Sequence, residues 1–249
     1  MLSGKTILIT GAARGLGREI ALDAARCGGR LVLADIDGDG GIETTDLVTK
    51  AGGTARFATV DLADPASITA LADDIKDHEG LLHGLVNNGA IATGIGGKAH
   101  NEVAIETWDR VMAVNVRGLW LMTTAVVPLL ANSGVGRIVN VASDTALWGA
   151  PNLLPYVASK GAVMSMTRSL ARELGPQGIG VVAIAPGILT TQSTEYVPKA
   201  RHEHYEQGRA VPGAQSPEDV VGTVSFLLSD AALTLTGQTL PTNRGFVFK

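Results

Sequence analysis

Thr6-Ile7-Leu8-Ile9-Thr10-Gly11-Ala12-Ala13-Arg14-Gly15-Leu16-Gly17 opens the chain with three signals in a row. Thr6 to Ile9 is short, apolar and β-branched, which predicts a strand, and a helical pattern runs on through Ala25. Between them lies a glycine-rich turn. Strand, turn and helix in that order form the context that a phosphate-binding turn requires. The glycines let the backbone approach a pyrophosphate, and the helix N-terminus offers free N–H groups at a positive dipole end. The spacing is G-x-x-x-G-x-G rather than the usual G-x-G-x-x-G.

The next strand, Arg30 to Ala34, ends in Asp35, close to the roughly 20-residue offset at which an acid meets the adenosine ribose 2′-OH. Asp37 adds a second negative charge. Both repel a 2′-phosphate, which favours NAD over NADP, whereas Arg14 in the turn argues for NADP. Ile36 lies between the two acids. The strand–helix alternation then repeats: helix from Gly38 to Gly53, strand Thr54 to Val60, helix Pro65 to Glu79, strand Leu81 to Val86. Asp61-Leu62 and Asn87-Asn88-Gly89-Ala90 fall at the C-terminal ends of their strands, where ligands of open α/β sheets collect. A loop covers 92 to 103, and one long helix is expected from Glu106 to Ala131. Strand Arg137 to Ala142, a helix from Asn152 to Gly175-Pro176 and strand Gly180 to Ala185 follow. A polar segment from Leu189 to Ala214 reads as a mobile lid, before a helix from Pro217 to Leu228 and a last strand around Gln238 to Leu240. The expectation is one Rossmann-type α/β domain over 1–249, a doubly wound parallel seven-stranded sheet with helices on both faces.

Composition narrows the function. The chain has 249 residues, 45% hydrophobic, with 31 glycines, which suits a packed α/β core. Net charge is −4 with no basic block, so neither nucleic acid nor an anionic membrane is an expected partner. The one cysteine, Cys27, fits a reducing compartment. The N-terminus is too short and polar for a signal peptide, and no apolar run approaches the roughly 20 residues that cross a bilayer. A cytoplasmic protein is expected. His202 and His204 do not share a helix face and no third ligand lies near, so no metal site is expected.

The chemistry concentrates between 143 and 160. On a helix, Tyr156 and Lys160 share one face, and an ammonium beside a phenol pulls the tyrosine pKa down from about 10. Such a tyrosine gives or takes a proton at a carbonyl or hydroxyl oxygen. Ser143, at the end of strand Arg137 to Ala142, stands where it hydrogen-bonds the same oxygen. Asn115, polar on an apolar helix, either caps a kink by bonding backbone or holds a water near the site.

Together these motifs resemble the short-chain dehydrogenase/reductase family, in its compact single-domain branch, over nearly the whole chain. Thr10-Gly11 through Gly15 and Gly17 is similar to the family's cofactor turn, and Asn87-Asn88-Gly89-Ala90 to its motif after strand four. Pro186-Gly187-Ile188 is similar to its turn under the nicotinamide, and Asn115, Ser143, Tyr156 and Lys160 stand in the places of its catalytic tetrad. The resemblance implies hydride transfer between a nicotinamide and an alcohol or carbonyl carbon. It gives Tyr156 the proton, Ser143 the oxygen, Lys160 the ribose hydroxyls and the tuning of Tyr156, and Asn115 a water that links Lys160 to solvent. Contacts to NAD are then expected from Gly11, Arg14, Gly15, Leu16, Gly17, Asp35, Ile36, Asp61, Leu62, Asn88, Gly89, Ala90, Tyr156, Lys160, Pro186, Gly187 and Ile188. Ser143, Trp148, Asn152 and Tyr156 are expected to face substrate. Arg201, His202, His204 and Arg209 in the lid either favour a polar or anionic substrate or form a solvated helical face of mixed charge. Relatives usually form tetramers through the two long helices, so a homotetramer is expected. Two departures stand out: Arg244 replaces a usual glycine in the C-terminal turn, and Asp144 follows Ser143.

The leading expectation is an NAD-dependent dehydrogenase acting on a small polar, cyclic or aryl secondary alcohol. An NADP-linked 3-oxoacyl thioester reductase and a non-catalytic dinucleotide sensor are the alternatives. An enoyl reductase is disfavoured, since that branch spaces its tyrosine and lysine farther apart.

Overall fold

The computed structural model describes residues 1–248. Among them, seven strands form one parallel sheet: β1 (Thr6–Thr10), β2 (Arg30–Asp35), β3 (Thr54–Thr59), β4 (Gly84–Asn87), β5 (Arg137–Val141), β6 (Gly180–Pro186) and β7 (Thr239–Thr242). Their order is β3-β2-β1-β4-β5-β6-β7. Strands covered on both faces read as unbroken apolar runs, and β1, β5 and β6 are buried along their whole length. Alternation sorts their side chains into two layers. Ile7, Ile9, Val139 and Val182 belong to one core, and Leu8, Leu85, Ile138 and Val181 to the other.

The helices are α1 (Gly15–Arg26), α2 (Gly38–Lys50), α3 (Pro65–Glu79), α4 (Ile105–Met112), α5 (Leu119–Asn132), α6 (Thr145–Trp148), α7 (Leu154–Leu174), α8 (Lys199–Gly208) and α9 (Glu218–Leu227). Asp37 and Asp64 cap α2 and α3 by accepting from Gly40 N and Ala66 N. Three expectations change. The single helix foreseen over 106–131 is two α-helices joined by a π-helical turn, Ala113–Gly118. A Cβ on Gly118 would lie 2.4 Å from Leu62 O, so the backbones meet there with no room for a side chain. That helical stretch, Ile105–Asn132, is also long and apolar enough by length and composition to cross a membrane, which no single uninterrupted apolar run suggested. Arg110 and Arg117 interrupt the run without lowering its average much, and Met122, Val126, Leu129 and Leu130 pack into the sheet's core. Third, the segment read as a polar lid contains α8, whose Tyr205 is buried, as is Arg209 just after it.

The C-terminal turn that Arg244 put in doubt is kept. Arg244 adopts φ +55°, a left-handed conformation costing an L residue roughly 1–2 kcal/mol, and Gly245 follows at φ +75°. Arg244 Nη2 donates to both carboxylate oxygens of Asp219, at 2.7 and 2.9 Å, and Val211 N donates to Arg244 O at 3.0 Å.

A chain of buried amides and hydroxyls crosses the sheet. Asn87 Nδ2 donates to Thr123 Oγ1 at 3.0 Å and to Asn140 Oδ1 at 2.9 Å, and Asn140 Nδ2 donates to Thr167 Oγ1 at 2.9 Å. It ties β4 and β5 to α5 and α7. Asn140→Ala leaves Asn87 and Thr167 short of a buried partner and is expected to cost about 2–4 kcal/mol, read as a fall in the urea unfolding midpoint.

Candidate active site

The crevice opens where the sheet order turns back, between the C-terminal ends of β1 and β4. Two turns clasp each other there. Thr10 Oγ1 accepts from Asn88 N and Gly89 N, each at 3.1 Å, and donates to Val86 O. Asn88 Nδ2 donates to Thr10 O at 3.1 Å and Gly11 O at 2.9 Å. The side chains of Asn88 and Thr10 therefore shape the turn, and Thr10 is a residue that the sequence reading left out. Gly11 and Gly15 adopt φ +66° and +55°. A Cβ on Gly17 would sit 1.9 Å from Gly11 O, and one on Gly89 2.7 Å from Leu62 Cδ1. The floor is thus bare backbone at the N-terminus of α1, which fits a pyrophosphate.

Asp35 is anchored on the same turn. Its Oδ2 accepts from Ala13 N at 2.9 Å and its Oδ1 from Asp37 N at 3.0 Å. Ile36 beside it is exposed, as is Arg14, while Leu16 packs into the core. Asp61 accepts from Ala63 N at 2.8 Å, which orders the turn that carries Leu62 and leads into α3. Ala90, next to Gly89, is half-buried.

On the other side, α7 carries Tyr156 and Lys160 one turn apart. Lys160 Nζ lies 5.5 Å from the Tyr156 ring centroid and donates to Val141 O at 2.7 Å. Ser143 Oγ accepts from Thr145 N at 3.3 Å and Thr145 Oγ1 at 2.9 Å. With both lone pairs engaged, its own proton is left to donate. Asn115, in the π turn, clamps Ile91 by accepting from its N at 2.7 Å and donating to its O at 3.0 Å, and it also donates to Ser159 Oγ. Of its two readings, the one that bonds backbone is the one seen, although the backbone is that of a distant loop. Ser159 passes the contact on to Tyr156 O at 2.8 Å.

The expected acidification of Tyr156 by Lys160 is absent from this arrangement. Burial pushes the phenol up to about 12 against the lowering effect of Ser143, and burial lowers Lys160 to about 8. Burial is the first cause for both groups, and the ammonium spends its hydrogen bond on Val141 O.

Of the expected substrate contacts, Trp148 has its indole engaged, with Nε1 donating to Tyr205 Oη at 3.0 Å and His204 and Phe246 packed around it. Asn152 is an exposed turn residue at φ +58° whose carbonyl accepts from Gly97 N. Pro186 ends β6 and accepts from Asp144 N, and Ile188 O accepts from Arg209 Nη2 at 2.8 Å. Gly187, between them, has Asp144, Asn243 and Gln215 within 3.1–3.3 Å of where its Cβ would be.

A family model described as enoyl-(acyl carrier protein) reductase matches residues 11–247. A probable short-chain type dehydrogenase/reductase from Bradyrhizobium diazoefficiens is 36% identical over 98% of this chain and 88% of that protein. The chain belongs to the short-chain dehydrogenase/reductase family. It is an oxidoreductase of that family, and the family's cofactor is a nicotinamide dinucleotide. A cyclopentanol dehydrogenase from Comamonas testosteroni is 33% identical over 98% of both chains. The crystal structure of a 3-ketoacyl-(acyl-carrier-protein) reductase from Brucella melitensis complexed with NADH superposes with a TM-score of 0.90, at 32% identity over 100% of both chains.

In this short-chain dehydrogenase/reductase, Gly17→Ala forces a methyl against Gly11 O and Asn88. It is expected to weaken NADH binding by more than about tenfold in a fluorescence titration, with the fold intact by circular dichroism.

Proposed function

We propose that the chain is an NAD-dependent dehydrogenase that interconverts a small neutral secondary alcohol, polar, cyclic or aryl, and its ketone. What supports the reading is the Ser143 hydroxyl within hydrogen-bond reach of the Tyr156 phenol and the Lys160 ammonium 5.5 Å from its ring, in a chain whose β1–α1 turn is bare backbone at Gly11 and Gly17. Gly11, Arg14, Gly15, Leu16, Gly17, Asp35, Ile36, Asp61, Leu62, Asn88, Gly89, Ala90, Pro186, Gly187 and Ile188 would hold a nicotinamide dinucleotide, which would supply the hydride acceptor or donor when bound.

The chain's own residues handle the proton and the charge. The Tyr156 phenol, protonated at neutral pH, gives its proton to the carbonyl oxygen during reduction and takes one back during oxidation. The free Ser143 proton meets the same oxygen as charge develops on it. Lys160 supplies the cation near the phenol and donors for ribose hydroxyls. Asn115 holds Ile91 and, through Ser159, the backbone of Tyr156, so it fixes the wall on which the phenol stands.

Asp35 supports NAD over NADP. A 2′-phosphate would sit against a carboxylate already fixed by Ala13 N and Asp37 N, with Asp37 adding charge. A neutral substrate is supported by the hydrogen bonds of three of the segment's basic side chains, which go to the protein's own backbone and leave fewer donors for an anion. Arg201 donates to Pro151 O, His202 bonds Thr194 O, and Arg209 donates to Gly213 O and Ile188 O. The 3-oxoacyl thioester reading keeps a place because of the Brucella neighbour. It requires NADPH preference and turnover of a 3-oxoacyl thioester, which the same assay measures.

The residues around an open groove on Ile105–Asn132 and α7, among them Met112, Val116, Trp120 and Met166, support a homotetramer through these helices; sedimentation tests it. Tyr156→Phe is expected to keep NADH affinity and lose about a thousandfold or more in turnover, on a panel of secondary alcohols followed by NADH absorbance. Near-parental turnover in that variant refutes the proton role.

A further inference from the structure

Asp144, one residue past Ser143, has no exposed surface, and neither the proton chemistry nor the cofactor turn uses it. Three other parts of the chain meet on it. Its amide donates to Pro186 O at 3.0 Å. Its Oδ1 accepts from Tyr205 Oη at 2.7 Å and its Oδ2 from Asn243 Nδ2 at 3.2 Å. A Cβ on Gly187 would lie 3.1 Å from Oδ2.

The donors are fixed by contacts of their own. Trp148 Nε1 can only donate, and it donates to Tyr205 Oη, so the Tyr205 proton goes to Asp144. Asn243 Oδ1 accepts from Gly245 N at 3.1 Å, which turns its nitrogen toward Asp144. Both carboxylate oxygens therefore have set partners, one on α8 and one on the C-terminal turn.

We propose that Asp144 is a positioning residue that locks α8 and the C-terminal turn to the Ser143 and Pro186–Gly187 turns, so that the substrate-side wall and the catalytic serine move together. The proposal rests on the reading of Ser143 and Tyr156 as the groups that meet substrate.

The charges around Asp144 give it a second signature. The Tyr205 and Asn243 hydrogen bonds and the Arg209 cation lower its pKa, yet burial outweighs them and pushes it up to about 6. Tyr156 faces it from α7, Arg201 faces Tyr205, and Glu206 and Arg244 face Arg209. A carboxyl raised above its unfolded value favours the docked state fully when protonated, and that contribution is lost as pH rises through about 6.

The test combines hydrogen exchange of 199–208 with kinetics on cyclohexanol and NAD. Asp144→Ala strands two buried donors, so α8 exchange is expected to quicken about tenfold or more and KM to rise about tenfold, with kcat changing less than about threefold. In Asp144→Asn an amide nitrogen faces that of Asn243. Adding Asn243→Asp restores an acceptor there, and the double variant is expected to recover to within about threefold of the parent. If Asp144→Ala fails to fold, Tyr205→Phe, which removes a single oxygen, is expected to quicken α8 exchange and raise KM in the same direction. Exchange and KM within about twofold of the parent in the folded variant, or no recovery in the double variant, would overturn the proposal. Exchange needs no substrate, so a chain that oxidises no alcohol while its α8 exchange responds as described sinks the dehydrogenase reading alone.

Discussion

Four hydrogen bonds between the turn after β1 and the turn after β4, all made by Thr10, Gly11, Asn88 and Gly89, hold the two strand ends at a fixed separation. The crevice exists because of this clasp. Parallel strands leave their C-terminal amides and carbonyls without sheet partners, and here those of neighbouring strands satisfy one another through one threonine and one asparagine. Gly17 can then approach Gly11 O closely, which leaves the α1 N-terminus as bare donor surface. Asp35 attaches to the same turn through Ala13 N, so acid, glycines and helix end form one rigid unit.

The opposite wall follows a related rule: buried polar side chains are satisfied by main-chain carbonyls rather than by opposite charges. Lys160 donates to Val141 O, Asn115 to Ile91 O, and Arg209 to Gly213 O and Ile188 O. A carbonyl offers a hydrogen bond without cancelling a charge, so burial is left to move the titrating groups: Lys160 and Arg209 downward, Tyr156 upward. A protonated phenol and a low-pKa amine side by side suit a site that must pass a single proton.

The strands and the glycine turn were legible because their causes are local. Ile7, Leu8 and Ile9 are buried on alternate faces and apolar on both, and Gly11 through Gly17 sit at a strand–helix junction that few other residues tolerate. The Tyr156–Lys160 pair followed from one turn of helix. What escaped the sequence depends on distant partners. Asn115 meets Ile91 across a loop, and Asp144 meets Tyr205 61 positions and Asn243 99 positions later. No periodicity marks such contacts. Lys199–Gly208 read as a mobile lid or a solvated helical face because Tyr205 is its one large core residue, which makes no apolar stripe. Arg244 looked disruptive because a left-handed turn favours glycine, while the compensating Asp219 lies 25 residues upstream.

The widened turn at Ala113–Gly118 also fixes the angular phase of all that follows it in that helix. One residue more or less in an α-helix rotates every later side chain by about 100° around the axis. Met122, Val126, Leu129 and Leu130 reach the sheet only in the present phase. Trimming one residue to regularise the turn would put Leu129 in the exposed place of Pro128 and Trp120, half exposed on the outer face, in the buried place of Leu119. The helix is therefore indexed from the crevice, where Gly118 abuts Leu62, and not from its ends. Length variation is tolerable in the loop before Ile105 and intolerable within these six residues.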